Sequence, residues 1–259
     1  MNYNQLLSGP FGLNLPEKLQ YGKLLPYFLS VEEKNDYEKN CKKLGNNWHY
    51  HNKEIIYNLN SNFYRAPEWT DIDWKESVVV FGCSHVFGEG LAYEETVCYY
   101  LQELLGRPVI NLGQSGTSTI FSWHNSIKCY ETFGIPYAVI QLWTDYGRML
   151  YYTDNEIKRV GFWSGGRWDN YDRDMKSLYR IWNKNNIHAS TFFKFEATAC
   201  KEFWSNKTNY YEGSYFKETA QIINCDFFSQ LDDARDFIHS GPITHKTAAG
   251  IIYENSNIR

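Results

Sequence analysis

The sequence predicts an α/β protein built on a central parallel sheet. Two observations carry that expectation. The run Ser77-Val-Val-Val-Phe81 is β-branched and aromatic throughout, and it stops abruptly at Gly82-Cys-Ser84. Such a run reads as a buried strand emptying into a tight loop. From Lys75 onward, apolar runs also alternate with helical segments across short connections, giving β-α-β-α-β. That alternation implies parallel strands with helices packed on the faces.

The elements follow in order. Strand one is Ser77–Phe81, and Ser84 lies just past its C-terminal end, with Gly88 four residues later. Thr96–Leu105 reads as a helix, Thr96 being a suitable N-cap and Gly106 the stop. Strand two is the short Pro108–Asn111. The loop Leu112-Gly-Gln-Ser-Gly-Thr117 leads into a helix over about 118–133, closed by Gly134. Strand three, Tyr137–Trp143, is apolar on both faces, as a central parallel strand should be.

Beyond Asp145 the rhythm weakens. Gly161–Trp168 is an aromatic, glycine-rich loop, and Tyr171–Asn183 places Met175, Leu178, Tyr179 and Trp182 at helical spacing, a core face. A further helix is expected over 189–205 and a late strand at Gln221–Cys225. A closing helix starts at Pro242, proline being well placed in a first helical turn. Ahead of the core, residues 1–74 read as an extension packed on it. They contain Pro10, Pro16 and Pro26, a charged helix near Val31–Leu44, and an extended lead-in over Tyr57–Trp69.

Composition excludes several classes. Hydrophobic residues make up 43% of the 259, enough for a sizeable core, and the net charge of −4 comes without a basic block. A sequence-independent nucleic-acid partner is therefore not expected, since it would need a basic stripe to neutralise phosphates. No apolar run is long enough for a membrane span, and no signal peptide stands at the start, so the expected compartment is cytoplasmic. Six scattered cysteines without a CxxC pair suit a reduced chain. His49 and His51 stand alone, so no metal is expected. The serine loop lacks the lysine of a P-loop, and no cofactor is expected. Aromatic residues reach 18%, a density that serves core packing or, alternatively, stacking on sugars or on a partner protein.

A serine hydroxyl is a weak nucleophile until a base takes its proton, and that base is commonly a histidine held by a carboxylate. Ser84 at a strand end is one candidate. Asp236 and His239, three apart just before Gly241-Pro242, are the others. Their order and context resemble the SGNH (GDSL-type) hydrolase family. The family's first block, Gly-Asp-Ser followed by glycine, is similar to Gly82-Cys83-Ser84-His85-Val86-Phe87-Gly88. Its second, asparagine with glycine five residues on, is similar to Asn111-Leu-Gly-Gln-Ser-Gly116, and its last to Asp236-Phe-Ile-His239. The resemblance covers roughly 77–145 and 225–253, leaving 1–74 and an insertion of about 150–215 outside the blocks.

The resemblance implies a flavodoxin-like three-layer α/β/α sandwich and a serine esterase. In that scheme Ser84 attacks an ester carbonyl, His239 is base and then acid, and Asp236 orients the imidazole. The N–H groups of Ser84 and Gly116 bind the oxyanion. Cys83 stands where the family has aspartate. The third block's asparagine is missing, and Thr144 or Asp145 takes its place, Thr144 retaining a hydroxyl donor. His85, Trp143, Asp145 and Arg148 are candidate substrate contacts, and His245 on the closing helix is expected to be structural. The implied partner is an acylated small molecule or carbohydrate, with the aromatic loop Phe162–Trp168 available to stack on sugars. A second reading keeps the scaffold without the activity, as a binding or structural protein, for instance of a viral particle, assembling through the N-terminal extension.

Overall fold

A computed structural model describes residues 31–152, 157–161, 173–184 and 186–258. Pro10, Pro16, Pro26 and the aromatic stretch Phe162–Trp168 lie outside the described residues. The central sheet has five strands: β1 (Val78–Gly82), β2 (Val109–Gly113), β3 (Ala138–Trp143), β6 (Asn209–Ser214) and β7 (Asp226–Phe227). Their order is β2-β1-β3-β6-β7, and every pairing is parallel. β1 pairs with β2 on one side and β3 on the other. It therefore ends at a point where the strand order reverses, which is where ligand crevices form in open α/β sheets. A separate antiparallel hairpin joins β4 (Met149–Tyr152) and β5 (Ile157–Val160).

Alternation along the strands divides the core in two. Val78 and Val80 of β1, with Ala138, Ile140 and Leu142 of β3, pack against α3 (Val97–Leu105) and α8 (Pro242–Asn255). Val79 and Phe81, with Val139 and Trp143, pack against α4 (Thr119–Phe133) and α6 (Ile187–Ser205). All five residues of β1 are buried. At about 1.5–3 kcal/mol for each large apolar side chain, that burial makes β1 the anchor of the three layers. The parallel sheet between two helical layers matches the expected α/β/α class.

The expected helix ends are found. Thr96 Oγ1 accepts from Tyr99 N–H at 3.3 Å, and Gly106 closes α3 in the left-handed conformation. Ser118 caps α4 in the same way through Phe121 N–H. The helix α1 (Val31–Leu44) and α5 (Arg173–Trp182) form where charge and periodicity put them.

Two expectations after β3 are corrected. Gln221–Cys225 does not form a strand: α7 spans Lys217–Ile223, and Ile222 and Ile223 are partly buried against the α4/α6 side of the core. The strand comes later, at Asp226–Phe227. In addition, α6 and β6 fall within the 150–215 stretch that the motif blocks left out, yet both belong to the core. β6 pairs with β3 over six residues, and Ala189, Phe193, Ala197, Cys200 and Trp204 of α6 lie on the sheet.

The segment before β1 is attached through a third cluster, in which Tyr50, Ile55 and Tyr57 meet Phe87, Leu91 and Ala234. The buried guanidinium of Arg65 donates to the carbonyls of Phe87 (3.2 Å), Gly88 (3.0 Å) and Leu91 (3.0 Å). Lys53 and His49 meet the Glu95 carboxylate.

Candidate active site

The site begins where β1 ends. Cys83 leaves the strand in an extended conformation, and a single helical turn, α2 (Ser84–Phe87), follows. Two anchors fix that turn. Asn111 Nδ2 donates to Val86 carbonyl at 2.8 Å, and Gly113 N–H donates to Asn111 Oδ1 at 3.0 Å. Gly113 itself must be small, because a Cβ there would stand 2.4 Å from Phe87 N. The next loop is tied to β1 by Gln114 N–H donating to Gly82 carbonyl at 3.0 Å, and it turns at Gly116, whose φ of 67° is left-handed.

Register sets which loops are neighbours. Phe81 is opposite Gln141 and Gly82 is opposite Gly113. The loops that carry Ser84, Gly116 and Thr144 therefore leave three adjacent parallel strands at the same, C-terminal edge of the sheet. Thr144 is 2% exposed, and its hydroxyl has no hydrogen-bond partner among the described residues. A buried hydroxyl left unpaired costs free energy, so its presence at this edge is informative.

The candidate base comes from far along the chain. The stretch before α8 is a closed loop: Ala234 N–H donates to His239 carbonyl (2.8 Å) and Gly241 N–H to Asp232 carbonyl (2.8 Å). Asp232 also accepts from Ile243 and Thr244 N–H at the start of α8, satisfying amides a helix end leaves orphaned. Within the loop, Asp236 Oδ1 accepts from both Ile238 and His239 N–H at 3.0 Å. That turn leaves Oδ2 against His239 Nδ1 at 2.5 Å, and His239 Nε2 then lies 2.8 Å from Ser84 Oγ. Ser84, His239 and Asp236 are therefore brought together as a continuous hydrogen-bonded series, across 155 residues of sequence.

The electrostatics are those of a histidine among acids. Burial pushes the Asp236 carboxyl up, but the hydrogen bond and charge of His239 and the two loop amides outweigh it and hold it below the ordinary carboxylate value. Burial alone would push His239 down. The Glu89 carboxylate, and then the hydrogen bond and charge of Asp236, carry it up to about 9. Neighbouring His85 moves the other way, well below the usual imidazole value. Burial is the first cause, followed by the proximity of His239, His245 and Arg148.

The remaining candidates separate. His85 is 8% exposed, stacks on Tyr215 at 4.8 Å between centroids, and stands 5.1 Å from the His239 ring. Its Nδ1 has no hydrogen-bond partner among the described residues. The buried Arg148 guanidinium lies 5.2 Å from the ring of Phe216, whose edge meets His85, so Arg148 borders the site. Two placements are corrected. Trp143 points to the opposite side of the sheet, buried against Phe193, with Nε1 donating to Glu212 Oε2 at 3.2 Å; strand alternation sends it away from the loop that carries His239. Asp145 accepts from Gly147 N–H through Oδ1 at 2.8 Å, in the turn that leads toward β4, and no contact joins it to Ser84 or His239 among those seen in the described residues. His245 is buried on α8 and accepts from Val97 N–H through Nδ1 at 2.9 Å, clasping the start of α3.

One acidic residue at the site had no motif to announce it. Glu89 Oε2 is 3.2 Å from His239 Nε2. Its only mark in the sequence is an acid set between Gly88 and Gly90 directly after the first block. No group of three or more metal-ligating side chains stands together among the described residues.

No family model matches the chain, and no curated protein matches it. Among solved structures, the chain is similar to a member of the lipolytic protein G-D-S-L family from Veillonella parvula. Identity is 11% and the TM-score 0.43, over 69% of this chain and 97% of that one. It is also similar to an acetyl xylan esterase, Est2A, from the rumen bacterium Butyrivibrio proteoclasticus. There the identity is 12% and the TM-score 0.42, over 71% of this chain and 64% of that one.

Proposed function

We propose that the protein is a serine ester hydrolase of the SGNH (GDSL) type, with Ser84 as nucleophile, His239 as general base and acid, and Asp236 as its orienting carboxylate. The observation that carries the reading is the Ser84 Oγ–His239 Nε2 contact of 2.8 Å, continued by Nδ1 to Asp236 at 2.5 Å. A nucleophile, a base and an orienting acid in hydrogen-bond reach of one another are what acyl transfer needs.

The steps follow from that geometry. Ser84 Oγ bonds to the ester carbonyl carbon as its proton passes to His239 Nε2. The carbonyl oxygen becomes an oxyanion, held by the N–H groups of Ser84 and Gly116 and by the Thr144 hydroxyl. Collapse breaks the bond to the alcohol, which leaves with the Nε2 proton, and the acyl group remains on Ser84. Water then attacks the acyl carbon, giving a proton to Nε2. The second collapse releases the acid and returns the proton to Ser84. Cys83 in place of the family's aspartate leaves these steps unaffected, since it contributes no group to them. Thr144, directly after the neighbouring β3 and with a hydroxyl unpartnered among the described residues, takes the part of the missing third-block asparagine.

The substrate class we propose is an acylated carbohydrate, from which the enzyme removes an O-acetyl group; the aromatic stretch Phe162–Trp168 in the sequence motivates it. The test is labelling with a fluorophosphonate probe together with p-nitrophenyl acetate turnover, in wild type, Ser84→Ala and His239→Ala. Labelling and turnover are expected in wild type alone. Equal labelling of all three proteins would defeat the reading.

A further inference from the structure

We propose that Glu89 is a positioning residue for this site: its carboxylate holds the Nε2 proton of the His239 imidazolium beside Ser84 Oγ and sets the pH range in which His239 acts as a base. This rests on the ester-hydrolase reading for its catalytic consequence, but the pairing itself stands on geometry. Glu89 Oε2 lies 3.2 Å from the same nitrogen that faces Ser84 at 2.8 Å. The imidazole thus has an acid at each end, Asp236 at Nδ1 and Glu89 at Nε2.

The two protonation states feel Glu89 in opposite ways. In the imidazolium, Nε2–H is shared between the serine oxygen and the Glu89 carboxylate, a charge-assisted contact in a buried setting. In the neutral ring the proton stays on Nδ1 and is donated to Asp236, so Nε2 presents a lone pair. Ser84 O–H can donate to that lone pair, whereas Glu89 opposes it. Glu89 therefore favours the state that follows proton transfer from Ser84 and disfavours the state that precedes it.

The contact is built rather than incidental. Glu89 side-chain exposure is 11% and that of His239 is 14%. The loop bearing Glu89 is gripped from two sides. Arg65 donates to the carbonyls at 87, 88 and 91, and Gly90 N–H donates to Tyr57 Oη at 2.7 Å. From the other side Arg235 N–H donates to Gly90 carbonyl at 3.3 Å, one residue before Asp236. Gly90 has a φ of 76°, and a Cβ there would meet Ala234 Cβ at 3.0 Å. The Glu89 loop and the Asp236–His239 loop are thereby docked on each other.

The other groups around His239 act elsewhere on the ring or more weakly. Asp236 raises it from Nδ1. Cys83 on the β1–α2 connection acts in the same direction but comes after Glu89 and Asp236. His85 on α2 and His245 on α8 are pushed down by burial first and also by the charge of His239, so neither raises it, and Arg148 lies beyond His85. Glu89 is the first cause that raises His239 to about 9.

The experiment is an NMR titration of the His239 imidazole in wild type, Glu89→Gln and Glu89→Asp, with the pH profile of kcat/KM for p-nitrophenyl acetate measured alongside. Because the loop backbone is held by Arg65, Tyr57 and Arg235, Glu89→Gln is expected to fold. Its His239 midpoint should fall by about one unit or more, the size of shift an adjacent opposite charge produces. The acid limb of kcat/KM should move down by the same amount, with Glu89→Asp restoring part of it. An unchanged His239 midpoint in Glu89→Gln would overturn the proposal. A moved midpoint in a protein whose Ser84→Ala variant matches wild type in turnover would uphold the pairing and reject the hydrolase reading instead.

Discussion

Replacing Asp236 with asparagine tests the site most sharply, because the structure dictates how the new amide must sit. Asp236 Oδ1 accepts two backbone N–H groups, from Ile238 and His239, each at 3.0 Å. Only the oxygen of an asparagine can accept those bonds, so its NH2 is forced into the place of Oδ2, facing His239 Nδ1. The amide then donates to Nδ1, and the imidazole proton moves to Nε2, where it points at Ser84 Oγ. Glu89, 3.2 Å from Nε2, accepts that proton and reinforces the wrong tautomer. His239 can no longer take the serine proton. In known Ser-His-Asp enzymes the corresponding change costs about 10⁴ in kcat, which corresponds to about 5.5 kcal/mol of barrier. Because the backbone turn keeps both its bonds, the fold should survive with little change in Tm. Steady-state turnover of p-nitrophenyl acetate, with circular dichroism melting as the control, measures both. Turnover within about tenfold of wild type, a loss of only about 1.4 kcal/mol, with an unchanged Tm would refute this account of the triad.

Two further outcomes follow from particular contacts. Thr144→Val keeps the shape of a side chain whose hydroxyl is unpartnered, so stability should hold or rise slightly. Losing one oxyanion donor should lower kcat by about 10²–10³; an unchanged kcat would remove Thr144 from the oxyanion site. Arg65→Met strips three carbonyls of their buried donor, at about 1 kcal/mol each, or about 3 kcal/mol in all. The expected fall in Tm is roughly 6–12 °C for a chain of this size, read by calorimetry, and no fall would show that the strap is dispensable.

Much of the fold was legible because local signals agreed. Ser77–Phe81 and Tyr137–Trp143 are continuous apolar runs, and Thr96 with Gly106 or Ser118 with Gly134 bracket helices by the chemistry of their ends. Ser84, Asp236 and His239 could be picked out because each sits in a short motif at a strand or helix boundary. What escaped depended on partners distant in sequence. β6 carries Tyr210, Tyr211 and Glu212 rather than an apolar run; it is a strand because β3 offers it six residues of ladder. Ile222-Ile223 looked like strand, yet in α7 the pair packs into the core from a helix. Trp143 looked available to substrate until alternation set it on the far face. Asp145 looked like a group for the oxyanion site until the Gly147 amide claimed it. Glu89 was invisible because its role is defined by His239, which lies far along the chain.

The clasp between Val97 and His245 joins the two stretches of chain that build the site. Ser84, Glu89, Asn111 and Thr144 all precede residue 150. His239 lies more than 90 residues beyond Thr144, held by Asp232 at the mouth of α8 and by α8 lying along α3. On the proposed reading, Ser84 lacks its base whenever α8 and the loop before it are undocked. Activity, on that reading, reports on whether two residues 155 apart in sequence have been brought together.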